Sequence, residues 1–482
     1  MSIVLLIFLI FYLILAIKKI DWALMLIIFS LPLYVVRFDF IIPTTILELM
    51  ILVCFAVWFI KNFKQITTNI KYSFRHGILR HSAPQDDRVR VPYPFALEIV
   101  LLLIISYIAV GFSGFSDSAL GIWKAYFFEP VLVFILILNI FCKKNVETHC
   151  NASLQKILWP LSLSAFFVSL FAIYQKFTGD FIANPLWAAE ETRRVTSIFS
   201  YPNAVGLFLA PLVLVFEGWL VSVIKNSTPN TEKKQIIKIS YISLVVMLSI
   251  LAIFFAKSEG ALIGAVAGLI IFGLFFDKKM RWATIVLVIV VGLGILSYQP
   301  TRDYALKKIT LKDLSGEIRK QQWRETWQML KNKKFFMGTG LNNYQTSILP
   351  YHQDGIFFDF DNDPEFRRHV VWNEEYKKSH WQPVEIYLYP HNIFLNFWTE
   401  LGLAGALLFV WIIAKFFVIG FKNLGQEKKY LPIGLIGAMV VTVVHGLVDV
   451  PYFKNDLAVM FWVLIALLSI INILNREDKT II

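Results

Sequence analysis

The chain has 482 residues, of which 57% are hydrophobic and 17% charged, and Phe alone contributes 43. With a mean hydropathy of +0.63, this is too little charge to cover a soluble protein of that length, so the composition describes an integral membrane protein. The formal net charge of +12 does not point to nucleic acid, because Lys and Arg are scattered between apolar segments instead of forming a stripe with interleaved aromatics.

The apolar runs are near helical length and are separated by short polar breaks, unlike the weak alternation of an outer-membrane barrel. They predict an all-α polytopic bundle with thirteen spans, near 2–17, 22–37, 41–60, 95–112, 119–141, 157–175, 202–224, 238–256, 260–276, 281–297, 391–420, 432–450 and 456–474. The N-terminus shows neither a basic n-region nor a small-residue cleavage site, so 2–17 is expected to be a retained first helix. Cys54, Cys142 and Cys150 show no CxxC or zinc spacing and are expected to be free thiols.

Lys18 and Lys19, the basic stretch 61–94, Lys143 and Lys144, Lys233 and Lys234, Lys278, Lys279 and Arg281, and Lys428 and Lys429 all fall on one side of the spans. The positive-inside rule makes that side cytoplasmic, with the N-terminus outside. The stretch 61–94, which holds Lys61, Lys64, Lys71, Arg75, Arg80, Arg88 and Arg90, also suits anionic headgroups. Four regions follow: N-terminal helices with the basic loop (1–94), a transmembrane core (95–297), an extracytoplasmic loop domain (298–390) and C-terminal helices (391–482).

The segment 298–390 is the one long polar stretch, and loops of that length are usually functional. Within it Arg319, Trp323 and Trp327 follow at i, i+4 and i+8, which predicts a guanidinium over indole rings on one helix face. The run "DFDNDPEF" offers Asp359, Asp361 and Asp363, but Pro364 and Val370 stand where a calcium loop needs Gly and Glu. No Walker loop, GxSxG elbow or HExxH occurs, and no metal or cofactor is expected.

The candidate chemistry gathers at predicted helix ends on the outer side. In "YPHNIFLNFWTELGLAG", Pro390 suits a helix start and His391 follows it at the water boundary. The electropositive helix end would keep that imidazole neutral and attract an anionic phosphate. Asn392, Asn396 and Glu400 then repeat every four residues, a stripe that serves either substrate or helix packing. In "RRVTSIFSYPNAVG", Arg194, beside Arg193, is either a bidentate phosphate ligand or a snorkelling interfacial arginine. His445 and Asp449 stand at i and i+4, as an oriented imidazole or a satisfied buried pair. Lys257 with Glu259, and Lys124 with Glu129, lie toward the same side.

The segments "RVTSIFSYPNAVG", "RKQQWRETWQML…GTG" and "PHNIFLNFWTELGLAG", in that order and with the second in a large outer loop, resemble the O-antigen ligase-like (Wzy/WaaL) superfamily of bacterial membrane glycosyltransferases. The resemblance implies a fold similar to the GT-C class and a reaction at the outer face of the cytoplasmic membrane. A glycan carried on undecaprenyl pyrophosphate would move to an acceptor hydroxyl on a lipid, polysaccharide or protein, without nucleotide or metal. It also implies His391 as the essential histidine and Arg194 and Arg319 as pyrophosphate ligands, with Arg193 and Arg324 as the competing arginine at each site. Asn392, Glu400, His445, Asp449 and Lys257 would support them. Ligase and polymerase both fit; a transporter is the reading from another class, against which stands the clustering of candidates at helix ends on one face.

Overall fold

The computed structural model describes residues 3–39, 43–76, 94–141, 147–225, 233–425 and 429–480. Its main helices are α1 (Ile3–Lys18), α2 (Ile20–Phe29), α3 (Ile46–His76), α4 (Ala96–Phe112), α5 (Asp117–Phe141), α6 (Glu147–Thr178), α7 (Pro202–Lys225), α8 (Lys233–Ala256), α9 (Glu259–Phe276), α10 (Lys278–Ser297), α11 (Gln299–Ile309), α12 (Leu314–Met329), α13 (Ile393–Lys422), α14 (Tyr430–Gly446) and α15 (Asn455–Thr480). Two small antiparallel hairpins complete it, β1 (Arg37–Asp39) with β2 (Pro43–Thr45) and β3 (Gly355–Phe357) with β4 (Trp381–Pro383).

Among the described residues, nine helices are long and apolar enough to cross a membrane. Four shorter apolar helices, Leu5–Lys18, Ile20–Phe29, Ala96–Phe112 and Tyr430–Gly446, take the other expected positions. The protein is an all-α polytopic membrane protein. Cys54 is a buried free thiol. The side chains of Cys142, Cys150, Lys143, Lys144, Lys71, Arg75, Arg80, Arg88, Arg90 and Lys428 lie outside the described residues.

Four span ends differ from expectation, each for a local reason. The second helix stops at Phe29 and gives way to a 3₁₀ turn, Leu31–Val35, whose Pro32 lacks the N–H that an α-helix would use. The β1–β2 hairpin follows, with Arg37 opposite Thr45, so the third helix begins at Ile46 and not near 41. Helix α13 starts at Ile393, because Asn392 caps it: its side chain accepts from the N–H groups of Phe394 (3.0 Å) and Leu395 (3.1 Å). Pro390 and His391 therefore precede the helix instead of opening it. Helix α14 ends at Gly446, and turns carry the chain past Pro451 to α15.

The stretch Asn455–Asn475 of α15 is 89% buried, whereas α10 is wholly peripheral, its apolar window being 0% buried. An all-round apolar helix belongs in the centre of a bundle, and α15 occupies that place. Close approach elsewhere depends on glycine: Gly218 of α7 and Gly434 of α14 face each other, and a Cβ at Gly218 would come within 2.7 Å of the Tyr430 carbonyl. Helix α5 contains a π turn at Lys124–Phe128 ahead of Pro130. Proline cannot donate to the Tyr126 carbonyl, and the Tyr452 hydroxyl does so instead at 2.8 Å.

The outer segment is latched to the bundle. Its small core of Met329, Leu330, Tyr344 and Ile348 packs against Leu395 and Trp398 of α13. Residues 335–342 then thread between α13 and α4: Thr339 N–H donates to the Thr399 carbonyl (2.6 Å), Leu403 N–H to Phe336 (3.0 Å) and Leu341 N–H to Ala109 (3.3 Å). Helix α13 breaks at this crossing, where Gly402 takes φ +73° and ψ −176°.

Candidate active site

Five stretches of chain meet at one end of the bundle, joined by hydrogen bonds to backbone carbonyls. Helix α12 lies across it: Arg319 Nε donates to the Val448 carbonyl at 3.1 Å, and Trp323 Nε1 to the Pro390 carbonyl at 2.8 Å. Asn392 Nδ2 donates to Leu447 at 3.0 Å, which joins the α13 start to the turn after α14. On the other flank, Arg194 Nε donates to Ala256 (3.1 Å) and its Nη2 to Asn203 Oδ1 (3.1 Å) and Lys257 (3.3 Å). The α9 start then meets α14, since a Cβ on Gly260 would lie 2.6 Å from the His445 ring. Lys308 ties α11 in by pairing with Glu259 (2.7 Å) and Asp313 (2.8 Å).

His391 sits inside this ring. Its φ of +44° is a left-handed conformation that a non-glycine residue adopts at a cost of about 1 kcal/mol or more, held here by the Trp323–Pro390 bond on one side and the Asn392 cap on the other. Its ring lies edge-on to Tyr387, with centroids 4.8 Å apart. Nδ1 is buried with no hydrogen-bond partner, and no protein group bonds the ring elsewhere. Burial lowers the imidazole pKa below its ordinary value; Asp449 opposes this and Arg319 adds to it. The ring is therefore neutral at pH 7, free to accept a proton.

The arginines divide by what anchors them. Arg194 and Arg319 are held by neutral acceptors and, among the described residues, form no ion pair, although the Glu259 carboxylate acts on Arg194 through space. Counting five N–H donors per guanidinium, Arg194 keeps Nη1 and Arg319 keeps Nη2 for a ligand. Arg193 turns the other way, binding the carbonyls of Ala188 (3.0 Å) and Lys176 (2.9 Å) at the end of α6. Arg324 is exposed to solvent. The expected stack of Arg319 over indoles is not formed; the cation over Trp327 is Lys331, 5.1 Å from the ring centroid, while Arg319 reaches for Val448 instead.

The remaining candidates serve other contacts. His445 and Asp449 do not hydrogen-bond each other, because α14 has ended before Asp449, whose Oδ1 accepts from the Val450 N–H at 2.8 Å. Glu400 Oε2 accepts from the Asn342 N–H at 2.8 Å and latches the outer loop, while Asn396 is buried with neither side-chain polar atom bonded. Lys257, at φ +51°, contributes its carbonyl to Arg194 and leaves its side chain exposed. Lys124 pairs with Glu48 at 2.6 Å. In the outer loop Asp359 and Asp363 accept from loop N–H groups, and Asp363 also meets His369 and Tyr376.

Sequence reasoning passed over Lys454, Asp456, Glu48 and Tyr34, which lie buried behind this ring. The signal was present as "KND", three polar residues placed directly before the most apolar span of the chain.

No curated protein matches the chain. Residues 244–410 match the O-antigen ligase family, an interval running from α8 into α13 that takes in Lys257, Arg319, Arg324, His391, Asn392 and Glu400 and leaves out Arg193, Arg194, His445 and Asp449. Over residues 244–410, across the long polar loop and the start of α13, the chain thus carries a domain similar to that of the O-antigen ligase family.

Proposed function

We propose that the protein is a glycosyltransferase of the ligase type, which moves a glycan from undecaprenyl pyrophosphate to an acceptor hydroxyl at the outer face of the bacterial cytoplasmic membrane. The observation that carries this reading is the pairing of an unbonded neutral imidazole, His391, with two guanidinium groups, Arg194 and Arg319, neither of which is ion-paired among the described residues. The acceptor oxygen attacks the anomeric carbon, and the bond from that carbon to the pyrophosphate oxygen breaks. The electron pair leaves with the pyrophosphate, and the hydroxyl proton passes to His391. Arg194 and Arg319 bind the pyrophosphate and stabilise the charge that grows on it. His391 aligns and deprotonates the hydroxyl, a contribution of about 10²–10⁴ in rate. The donor carries its own activation, so these roles suffice for transfer, and the polyprenyl chain lies in lipid beside the apolar helices.

The test is mass spectrometry of glycans after incubating reconstituted protein with a lipid extract of the source cells, beside His391→Ala. Glycan leaving the polyprenyl carrier for a new acceptor supports a ligase. Lengthening on the carrier replaces it with a polymerase, and identical products from both proteins remove His391 from the chemistry.

A further inference from the structure

A second polar group lies behind the catalytic ring. Lys454 is 7% exposed, and its ammonium sits 4.8 Å from the ring centroid of Tyr34, 4.9 Å from Phe199 and 5.1 Å from Tyr201. The three rings fix its position through cation–π attraction, yet Nζ has no hydrogen-bond acceptor. Asp456, the second residue of α15, is fully buried, and neither carboxylate oxygen meets a donor. Its charge acts on Lys454, but the two form no ion pair.

Structural polar networks in protein interiors are satisfied, because each orphaned group costs about 1–3 kcal/mol and a charged one more. Here a donor and a carboxylate are left open within electrostatic reach of each other. A phosphate would be repelled by Asp456, and a cation by Lys454. A hydroxylated ring answers both, since each hydroxyl donates to a carboxylate and accepts from an ammonium. The position is also apt. Phe199 and Tyr201 belong to the segment that carries Arg194, and Tyr201 lies within electrostatic reach of Asp449, Tyr389, Tyr34 and Asp456. Tyr389 stands two residues before His391.

We infer that Lys454 and Asp456, with the Tyr34–Phe199–Tyr201 cage, form a subsite for an uncharged sugar residue of the glycan. The inference deepens the proposed transferase reading by naming where the sugar is held, and it is read by binding, without turnover. The probe is the set of oligosaccharides freed by mild acid from the cells' lipid-linked glycans, stripped of carrier and phosphate. Saturation-transfer NMR on full-length protein in nanodiscs should show ring-proton signals for wild type. Asp456→Asn and Lys454→Met should each weaken binding about 10-fold or more, by removing a charge-assisted hydrogen bond. Each substitution leaves the other group without its counter-charge, so Asp456→Asn with Lys454→Met is measured beside them; it should unfold near the wild-type temperature and still bind weakly.

Absence of transfer to wild type, or equal binding by the variants, would overturn the subsite and leave ordered water as its occupant. In turnover assays, a rise in the half-saturating concentration of donor alone places the sugar on the donor, and of acceptor alone on the acceptor, with kcat held within about three-fold. His391→Ala should bind the oligosaccharides as wild type does. No glycosyl transfer by wild type, with oligosaccharide binding intact, would sink the transferase reading and leave the subsite standing.

Discussion

Replacing Gly402 by alanine tests whether the break in α13 is built by the docked loop. At φ +73° and ψ −176° the residue occupies a region open essentially to glycine alone, so alanine costs about 1–3 kcal/mol in backbone strain. A Cβ would also run into the Phe336 carbonyl oxygen and approach the Met337 carbonyl carbon to 2.9 Å. Both are backbone atoms with no rotamer to yield, and shifting them breaks the Leu403–Phe336 hydrogen bond of 3.0 Å, worth about 1 kcal/mol. The sum is about 2–4 kcal/mol. An unfolding entropy of about 2.1 cal/mol/K per residue over the whole chain is about 1 kcal/mol/K, which turns that loss into a fall of about 2–4 °C in Tm. The assay is thermal unfolding in detergent, followed by tryptophan fluorescence, with turnover measured alongside. Gly292→Ala is the control, for a Cβ there meets nothing within 4 Å and helix propensity favours alanine by about 1 kcal/mol. A Gly402→Ala protein that melts and turns over like wild type would refute the claim that the loop and the break hold each other.

With His391 as base, kcat/KM should be flat at neutral pH and fall in acid, with a midpoint below the ordinary histidine value of about 6.5, because burial favours the neutral ring. A midpoint above that value would contradict it. Arg194→Ala should cost about 100-fold or more in kcat with the fold intact, whereas Arg193→Ala should lower Tm and leave kcat within about three-fold, since Arg193 ties Ala188 and Lys176 together; kinetics and melting of the two variants decide. Lys415→Met should destabilise by about 3 kcal/mol, because it leaves the buried Glu98 carboxylate with Trp411 as its one side-chain donor. Glu98→Gln with Lys415→Met should recover most of that loss, as a double-mutant cycle would show.

The helices were legible because hydropathy over about twenty residues reports lipid burial, a property of each segment alone. What failed depends on partners. The spacing of His445 and Asp449 implies a hydrogen bond only if α14 continues past Gly446, and Pro451 with the turns before it ends that continuity. Pro390 suits a helix start, yet Asn392 captures the N-cap because a side-chain oxygen satisfies orphan N–H groups that proline cannot reach. Arg193 and Arg194 are equivalent in sequence; the carbonyls that separate them come from α6 on one side and the end of α8 on the other. The cage around Lys454 was invisible for the same reason, being assembled from residues 34, 199 and 201.

The way the site's cations are anchored bears on how it must work. An arginine paired with a carboxylate at a membrane boundary is cheap to bury but presents little net charge to a ligand. Arg194 and Arg319 are instead held by the carbonyls of Ala256, Lys257 and Val448, each at or just beyond the end of a helix, where C=O groups lack helical donors. The helix ends thus supply neutral acceptors that position a guanidinium without an ion pair and leave it open to an anionic ligand. The outer loop is needed for this arrangement, because α12 delivers Arg319 and fixes Pro390 through Trp323, and the crossing at Gly402 holds that loop against α13. A loop released from Gly402 would move Arg319 and His391 together, so loss of the latch should lower kcat more than it raises the half-saturating donor concentration.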